Sequence, residues 1–256
     1  MTLLIAVADP QADAELLASA RGLAAAAHWG TAGVHVRHAG EPELSGAGLQ
    51  GLAVTEVEGE PAAALAAHVD RVGAQALALG LRTRTGPGIG HVAGELIARH
   101  GVPLFLVRPG MRPLAGLRRL VVPLEGSPSA SAAMKHADDA LCRRGREIVM
   151  LHVVTGDRPA EEGSFPAPRI VDQEHYEWSA WQEEFTMRFS QCPEGGRHRV
   201  SVRVGDPAKT IVKESVSLQA ELIVLSWRGS FEEGHGAVVK DLLATAPCPL
   251  LIVPAG

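Results

Sequence analysis

The sequence predicts two tandem α/β domains, each built on a parallel sheet flanked by helices. The chain has 256 residues, which is long for one small domain and suits two. Its halves share landmarks at a fixed separation, and in each half short apolar runs alternate with helical segments. Strands that alternate with helices are typical of parallel sheets with right-handed crossovers.

The repeat is clearest at the end of each half. Pro103, before an apolar run, corresponds to Pro249, which lies 146 positions later. The same separation relates two pairs of glycines, Gly59 with Gly205 and Gly90 with Gly236. Repeats of this length are duplicated domains rather than solenoid units, whose periods run to about 20–50 residues.

Upstream landmarks keep a shorter separation. Asp9 matches Glu125 at 116 positions, and His35 matches His152 at 117. The difference of about 30 residues predicts an extra segment, roughly 155–197, between the second and third strands of the second half. Aromatic residues there recur at helical spacing and are expected to face the core. The first half is expected to lack its second helix, which gives domains 1–110 and 115–256 joined near Pro109–Pro113.

Individual elements follow from local patterns. Residues 120–124 form a continuous apolar run, as expected for a strand covered on both faces. Ser127-Pro128 and Asp206-Pro207 each place a capping side chain before a proline, which predicts a helix start. The run 222–225 predicts another buried strand, a short helix from about Gly236 follows, and 250–253 forms the last strand.

Composition restricts the class of protein. Hydrophobic residues make up 46% of the chain and charged residues 21%, which favours a packed core over disorder. A net charge of −5 without a long basic run argues against nucleic-acid binding. No apolar stretch has the length of a membrane span, and no signal peptide is evident, so we expect a cytoplasmic protein. The three cysteines are expected to be reduced, buried thiols.

The second half resembles the universal stress protein family. Residues 121–127 read Val-Val-Pro-Leu-Glu-Gly-Ser, Gly205-Asp206-Pro207 follows, and 220–229 read Ala-Glu-Leu-Ile-Val-Leu-Ser-Trp-Arg-Gly. The most specific piece is Ala-Pro-Cys-Pro at 246–249, before the last apolar run. The resemblance covers nearly all of 115–256 and, more weakly, 1–110.

The resemblance implies a five-stranded parallel sheet of the adenine-nucleotide α-hydrolase-like type, paired into dimers through its last strand. In nucleotide-binding members an Asp after the first strand contacts the base and ribose. A Gly-x-x-Gly turn after the fourth strand is followed, nine residues later, by Gly-Ser or Gly-Thr at a helix start. Such glycines let backbone N–H groups approach phosphates, whose charge a helix N-terminus favours.

Carried onto this sequence, the nucleotide site is degenerate in both copies. Each loop has six residues instead of nine, and neither ends in a hydroxyl residue. If the turn requires a positive φ at position 226, Ser226 would be strained there. The candidate residues are Asp9, Gly80, Arg82, Gly88, Gly90 and His91 in the first copy and Glu125, Arg228, Gly229, Gly236 and Ala237 in the second.

Several of these residues have a second interpretation. The glycines at 86, 88 and 90 could bind an anion or simply form a tight turn. Arg82 and Arg228 suit phosphate geometry but could equally be solvated surface residues. His91 could meet a phosphate when protonated or be an ordinary loop residue. His35 and His152 are expected to be satisfied interior histidines rather than metal ligands.

The function implied is that of a non-catalytic stress-response or regulatory protein. It would bind ATP or AMP weakly, with Mg²⁺, or bind no cofactor, and the first copy would be the better site. An interaction module without a ligand is one alternative, and a nucleotide-using enzyme is another. The sequence has no P-loop, no GxSxG elbow and no Ser-Gly-Gly-x-Asp-Ser loop after either first strand. The apolar runs 104–107 and 250–253 are expected to meet within the chain as a pseudo-dimer, with a homodimer left open and no membrane or nucleic-acid partner.

Overall fold

The computed structural model describes residues 1–37, 44, 49, 51–81, 90–99, 101–124, 130–155, 195–227 and 235–254. In these ranges ten strands form one sheet, in the order β3-β2-β1-β4-β5-β10-β9-β6-β7-β8. The first unit contributes five of them. Its elements are β1 Thr2–Ala6, α1 Ala14–Ala27, β2 Gly30–Arg37, β3 Val54–Glu58, α2 Pro61–Val72, β4 Ala76–Gly80, α3 His91–Arg99 and β5 Leu104–Val107.

The second unit repeats this order. Its elements are β6 Arg119–Leu124, α4 Ala130–His136 with a π-helical turn Ala137–Leu141, β7 Glu147–Val154, β8 Arg197–Val204, α5 Pro207–Ser217, β9 Leu222–Trp227, α6 His235–Thr245 and β10 Leu250–Pro254. The predicted helix start at Ser127-Pro128 and the predicted aromatic helix within 155–197 lie outside the described residues. Most of the segment 38–53, where the first unit was expected to lack a helix, lies outside them too.

Each unit is parallel throughout, and the two units join antiparallel. In the first, β1 pairs with β2 and β4, β2 with β3, and β4 with β5, all parallel. In the second, β6 pairs with β7 and β9, β7 with β8, and β9 with β10 in the same way. β5 pairs antiparallel with β10, with Phe105 opposite Leu251. The α/β fold with tandem parallel sheets, predicted from the repeat, is confirmed.

The core lies on both faces of the sheet because successive strand residues point to opposite sides. Leu3 and Ile5 pack with α1 and α4 on one face. Leu4 lies on the other face, with α2, α3, α5 and α6. The continuous apolar character of strands such as Leu222–Trp227, buried along its whole length, follows from this two-sided cover.

Helices α2 and α5, whose caps lie 146 positions apart in the sequence, begin in the same way. Glu60 caps α2 by accepting the N–H of Ala63 at 2.9 Å, and Asp206 caps α5 by accepting that of Lys209 at 2.9 Å. Each cap precedes a proline at the first helical position, where the missing N–H leaves no bond unmade. The helix predicted at Asp206-Pro207 is therefore confirmed.

The segment between β5 and β6 packs against both units. The Arg108 guanidinium donates to the carbonyl of Ala246 at 3.1 Å, and that of Arg112 donates to the carbonyl of Ala220 at 3.2 Å. On the other side, the N–H of Leu114 donates to the hydroxyl of Ser19 in α1 at 3.3 Å. The connection is thus held to both units by hydrogen bonds.

The cysteines differ from the expectation. Cys142 is disulfide-bonded, so the prediction of three reduced thiols is wrong for this residue. Cys248 is a free, buried thiol, and burial raises its pKa from 9.0 to about 12. Among the described helices, none combines the length and apolar character needed to cross a membrane.

Candidate functional site

A cavity of about 430 Å³ opens at the carboxyl ends of the first unit's strands, between the starts of α2 and α3. In parallel sheets this edge is where ligands bind, since the loops that leave neighbouring strands diverge there. Most of the lining is apolar or backbone. The lining residues are Ala6, Val7, Ala8, Asp13, Val34, His35, Val36, Pro61, Leu65, Leu79, Gly80, Gly90, His91, Val92 and Ala93.

Three residues predicted from the sequence line this cavity. Gly80 ends β4, Gly90 precedes α3, and His91 is the first residue of that helix. The helix start is closed by a bond from the N–H of Gly94 to the carbonyl of Gly90 at 2.9 Å. The structure therefore brings the glycines flanking the predicted loop to the same cavity. Arg82 and Gly88, the other loop residues proposed, lie outside the described residues.

Asp9 lies in the loop that follows β1. It is exposed and absent from the cavity lining. Its Oδ1 accepts the N–H groups of Gln11 at 2.8 Å and Ala12 at 3.1 Å, so one carboxylate oxygen closes the turn that follows β1. These two bonds stabilise the β1–α1 loop in the observed conformation.

Sequence reasoning missed Asp13, the buried acid that does reach the cavity. Its Oδ2 accepts the N–H groups of Ala8 at 2.8 Å and Asp9 at 3.0 Å. The residue precedes α1, yet its side chain makes no bond to the helix start and serves the preceding loop instead. An acid just before a helix is the signal that could have drawn attention to it.

Two equivalent histidines bond to backbone carbonyls at the ends of two equivalent strands. His35 Nδ1 lies 2.8 Å from the carbonyl oxygen of Val7, and His152 Nδ1 lies 2.9 Å from that of Leu124. Both rings are buried, and a bond to a carbonyl requires the proton on Nδ1. The expectation that these are satisfied interior histidines agrees with these bonds.

Carboxylates surround the start of α3. His91 Nε2 lies 3.6 Å from a carboxylate oxygen of Glu95, one turn later. The capping residue Glu60 approaches the same pair from the start of α2. Hydrogen bonds from the N–H groups of Ala63 and Ala62 lower the pKa of Glu60, and the charge of His91 adds to this effect. This end of the cavity therefore carries negative charge beside the favourable helix N-terminus.

The second unit keeps fewer of the predicted features. Gly236 is buried and Ala237 is exposed, both in the first turn of α6. Ser226 is buried in β9 and is not among the described residues with a positive φ, so the strain considered for this position does not arise. Glu125, Arg228 and Gly229 lie outside the described residues.

Comparison with known proteins identifies the family. Residues 116–254, more than half of the chain, match the model of the universal stress protein family. The chain belongs to this family. The match covers the second unit, whose closing Ala-Pro-Cys-Pro run is the most specific part of the resemblance. No curated protein matches the chain in sequence.

Solved structures of universal stress proteins share the fold over the whole chain. A universal stress protein from Archaeoglobus fulgidus is 15% identical, with a TM-score of 0.69 over 100% of this chain and 98% of that one. A putative universal stress protein from Pseudomonas aeruginosa is 11% identical, with a TM-score of 0.63 over 99% and 92%. A functionally unknown P. aeruginosa protein is 9% identical, with a TM-score of 0.64 over 99% and 92%. At such identities the likeness concerns the fold alone.

Proposed function

We propose that this universal stress protein is a non-catalytic, cytoplasmic stress-response protein whose first unit binds an adenine nucleotide weakly. The observation that carries the proposal is the cavity at the carboxyl edge of β1, β2 and β4, lined by Gly80, Gly90 and His91. It combines an apolar interior with a helix N-terminus at one end. These features suit the two ends of a nucleotide.

The apolar part of the cavity suits a base. Val7, Val34 and Val36 come from the ends of β1 and β2, and Pro61 and Leu65 face them from α2. Ligand pockets are usually of this kind, with a volume of roughly 300–1,000 Å³ and few polar groups. A flat aromatic ring can be buried there without an unpaired polar group on the protein side.

The opposite end suits a phosphate. Gly90 has no side chain to block the approach to the first N–H groups of α3, and these groups attract an anion. His91 could add a hydrogen bond to the phosphate.

Two features weaken the phosphate contact. The family's hydroxyl residue is replaced by His91 in the first unit and by Ala237 in the second, which removes a bond worth about 1.5–3 kcal/mol. That loss corresponds to roughly ten- to a hundredfold in affinity. The carboxylates of Glu60 and Glu95 additionally oppose a bare triphosphate. We therefore expect AMP and ATP to bind only weakly.

The proposal includes no catalytic step. Asp13 and His35 are the titratable side chains buried in the lining, and each is hydrogen-bonded to the backbone of the β1–α1 loop. In the same proposal the antiparallel joint between β5 and β10 replaces, within one chain, the contact that family members make between subunits.

Calorimetric titration with AMP and with ATP, each with and without Mg²⁺, tests the proposal. Val36 lines the cavity, and Val153 is the matching half-buried valine of β7, so Val36→Trp should abolish binding while Val153→Trp leaves it unchanged. Asp9→Ala should weaken binding by loosening the loop, and Ala237→Ser should change it little.

Sub-micromolar ATP affinity that is unchanged by Val36→Trp and Asp9→Ala would overturn the assignment to this cavity. Complete absence of binding to the wild type, with the fold intact by circular dichroism, would favour the interaction module without a ligand.

A further inference from the structure

Three side chains of the kind that bind metal ions converge at the start of α3. They are Glu60, His91 and Glu95, and their ligand atoms all lie within 4.8 Å of one another. They come from two elements, since Glu60 precedes α2 whereas His91 and Glu95 share the first turns of α3. His91 also lines the cavity, so the group stands at its mouth.

The chemistry of this group suits a divalent transition-metal ion. Imidazole and carboxylate together favour ions such as Zn²⁺ and Co²⁺, whereas sites of oxygen ligands alone suit Mg²⁺. Two ligands at about 2.1 Å from such an ion lie no more than about 4.2 Å apart. His91 and Glu95 already meet this limit at 3.6 Å. A pair at 4.8 Å needs only a small rotation, which the exposed side chains of Glu60 and His91 allow.

The capping role of Glu60 is compatible with metal binding. Oε2 accepts the N–H of Ala63 at 2.9 Å, and a carboxylate has a second oxygen with its own lone pairs. A ligand fixed in this way loses less conformational freedom on binding than an untethered side chain does.

The second unit provides an internal comparison. At the landmark separation of 146, Glu60 corresponds to Asp206 and Glu95 to Asp241, whereas His91 corresponds to Ala237. Asp206 is also the cap of its helix, so the two acids are placed at equivalent elements in both units. At these equivalent positions both units carry the acids, and the first unit alone carries an imidazole.

We propose that Glu60, His91 and Glu95 bind one divalent transition-metal ion at the mouth of the first unit's cavity. The ion would offset the two carboxylates and would lie where the phosphates of a nucleotide end. The ion site itself does not depend on a nucleotide. With the ion present, a nucleotide should bind more tightly, and this consequence rests on the proposed function.

Co²⁺ titration of the untagged full chain without nucleotide tests the site, because Co²⁺ ligated by imidazole has a characteristic visible spectrum. We expect one equivalent to bind and to be displaced by Zn²⁺. His91→Ala and Glu95→Gln should each weaken binding by about tenfold or more, since even changes outside the ligand shell commonly cost that much. The matched variant Ala237→His, which adds an imidazole at the position equivalent to His91, should create a second equivalent.

Unchanged Co²⁺ binding in folded His91→Ala and Glu95→Gln would overturn the proposal, as would the absence of binding in the wild type. AMP titration with saturating Zn²⁺ then tests the coupling separately. Ion binding without AMP binding would contradict the proposed function and leave the ion site standing.

Discussion

Phe105 in β5 lies opposite Leu251 in β10, the residue 146 positions later in the sequence. On either side, Leu106 lies opposite Leu250 and Leu104 lies opposite Ile252. The separation of 146 relates Leu104 to Leu250 and Leu106 to Ile252, so each flanking pair is the equivalent of the other. The register therefore places an approximate two-fold axis through the pair of Phe105 and Leu251. Each unit contributes the same apolar edge, and the antiparallel joint covers both edges at once.

The antiparallel pairing of β5 with β10 should make the largest contribution to the stability of the contact between the two units. Phe105 is fully buried, so Phe105→Ala should lower the free energy of unfolding by about 3–5 kcal/mol. Urea denaturation followed by tryptophan fluorescence and circular dichroism measures this loss. Val72, which is 45% exposed, supplies the control, and Val72→Ala should change stability by no more than about 0.5 kcal/mol. A loss below about 1 kcal/mol for Phe105→Ala would contradict the assigned packing.

The connection between the units leaves no room for a side chain on Gly22. A Cβ built there would overlap the carbonyl oxygen of Leu114 and lie 2.8 Å from its carbonyl carbon. Gly22→Ala should therefore destabilise the protein by about 1–3 kcal/mol. The sign of this stability change is informative, because alanine in a helix interior otherwise stabilises a protein by about 1 kcal/mol relative to glycine. In the control Gly30→Ala the new Cβ meets nothing closer than 3.8 Å, and thermal unfolding should show little change.

The repeat predicts a position where glycine would improve the second unit. Gly73 ends α2 with a φ of 60°, and Gln219, at the landmark separation of 146, follows α5 with a φ of 52°. A side chain in this left-handed region costs about 1–2 kcal/mol, part of which glycine returns through its greater freedom in the unfolded chain. Gln219→Gly should therefore raise the urea midpoint, and Gly73→Gln should lower it. Opposite signs would show that the two helix ends are not equivalent.

Much of the fold was predictable because its signals are local. Continuous apolar runs such as 222–225 identify strands covered on both faces, and the Asp206-Pro207 cap identifies a helix start. The pairing of β5 with β10 could also be predicted from the sequence, since an apolar edge strand must be covered. The disulfide at Cys142 could not be predicted in this way, because cysteines distant in the sequence carry no local pattern that indicates their pairing.

The candidate site was predictable only in part. Gly80, Gly90 and His91 belong to a loop pattern, and the structure places them along one cavity. The position of Asp13 in the cavity lining was hidden, because Asp9 and Asp13 are both acids near a helix start and only their hydrogen-bond partners distinguish them. The approach of Glu60 to His91 depends on how α2 packs beside α3, which sequence spacing does not determine.

His136 should make stability depend on pH. Burial lowers its pKa, the carboxylate of Asp139 offsets this in part, and Nε2 has no hydrogen-bond partner among the described residues. In the unfolded chain a histidine takes up a proton near pH 6.5, so the unfolded state binds more protons as the pH falls and this part of the stability is lost below that value. His136→Phe keeps a ring against Trp29, whose centroid lies 6.2 Å away, and removes the titration. The difference in urea midpoint between variant and wild type should grow from pH 7.5 to pH 5. A difference independent of pH would contradict the assignment.

Variants of His35 and His152 distinguish an effect on stability from an effect on ligand binding. Each donates from Nδ1 to a carbonyl at the end of the neighbouring strand, Val7 for His35 and Leu124 for His152. Replacing either by alanine leaves that carbonyl without this bond, so both variants should lose about 1–3 kcal/mol of unfolding free energy.

Their effects on the nucleotide should differ. His35 lines the cavity and holds the loop that carries Asp13, so His35→Ala should also weaken AMP binding severalfold. His152→Ala should leave AMP binding unchanged, because no role in binding is assigned to the second unit. His35→Asn, whose amide can donate to the same carbonyl, should recover part of the affinity. Urea denaturation and calorimetry on the same preparations measure both quantities, and equal losses of AMP affinity in His35→Ala and His152→Ala would place the nucleotide elsewhere.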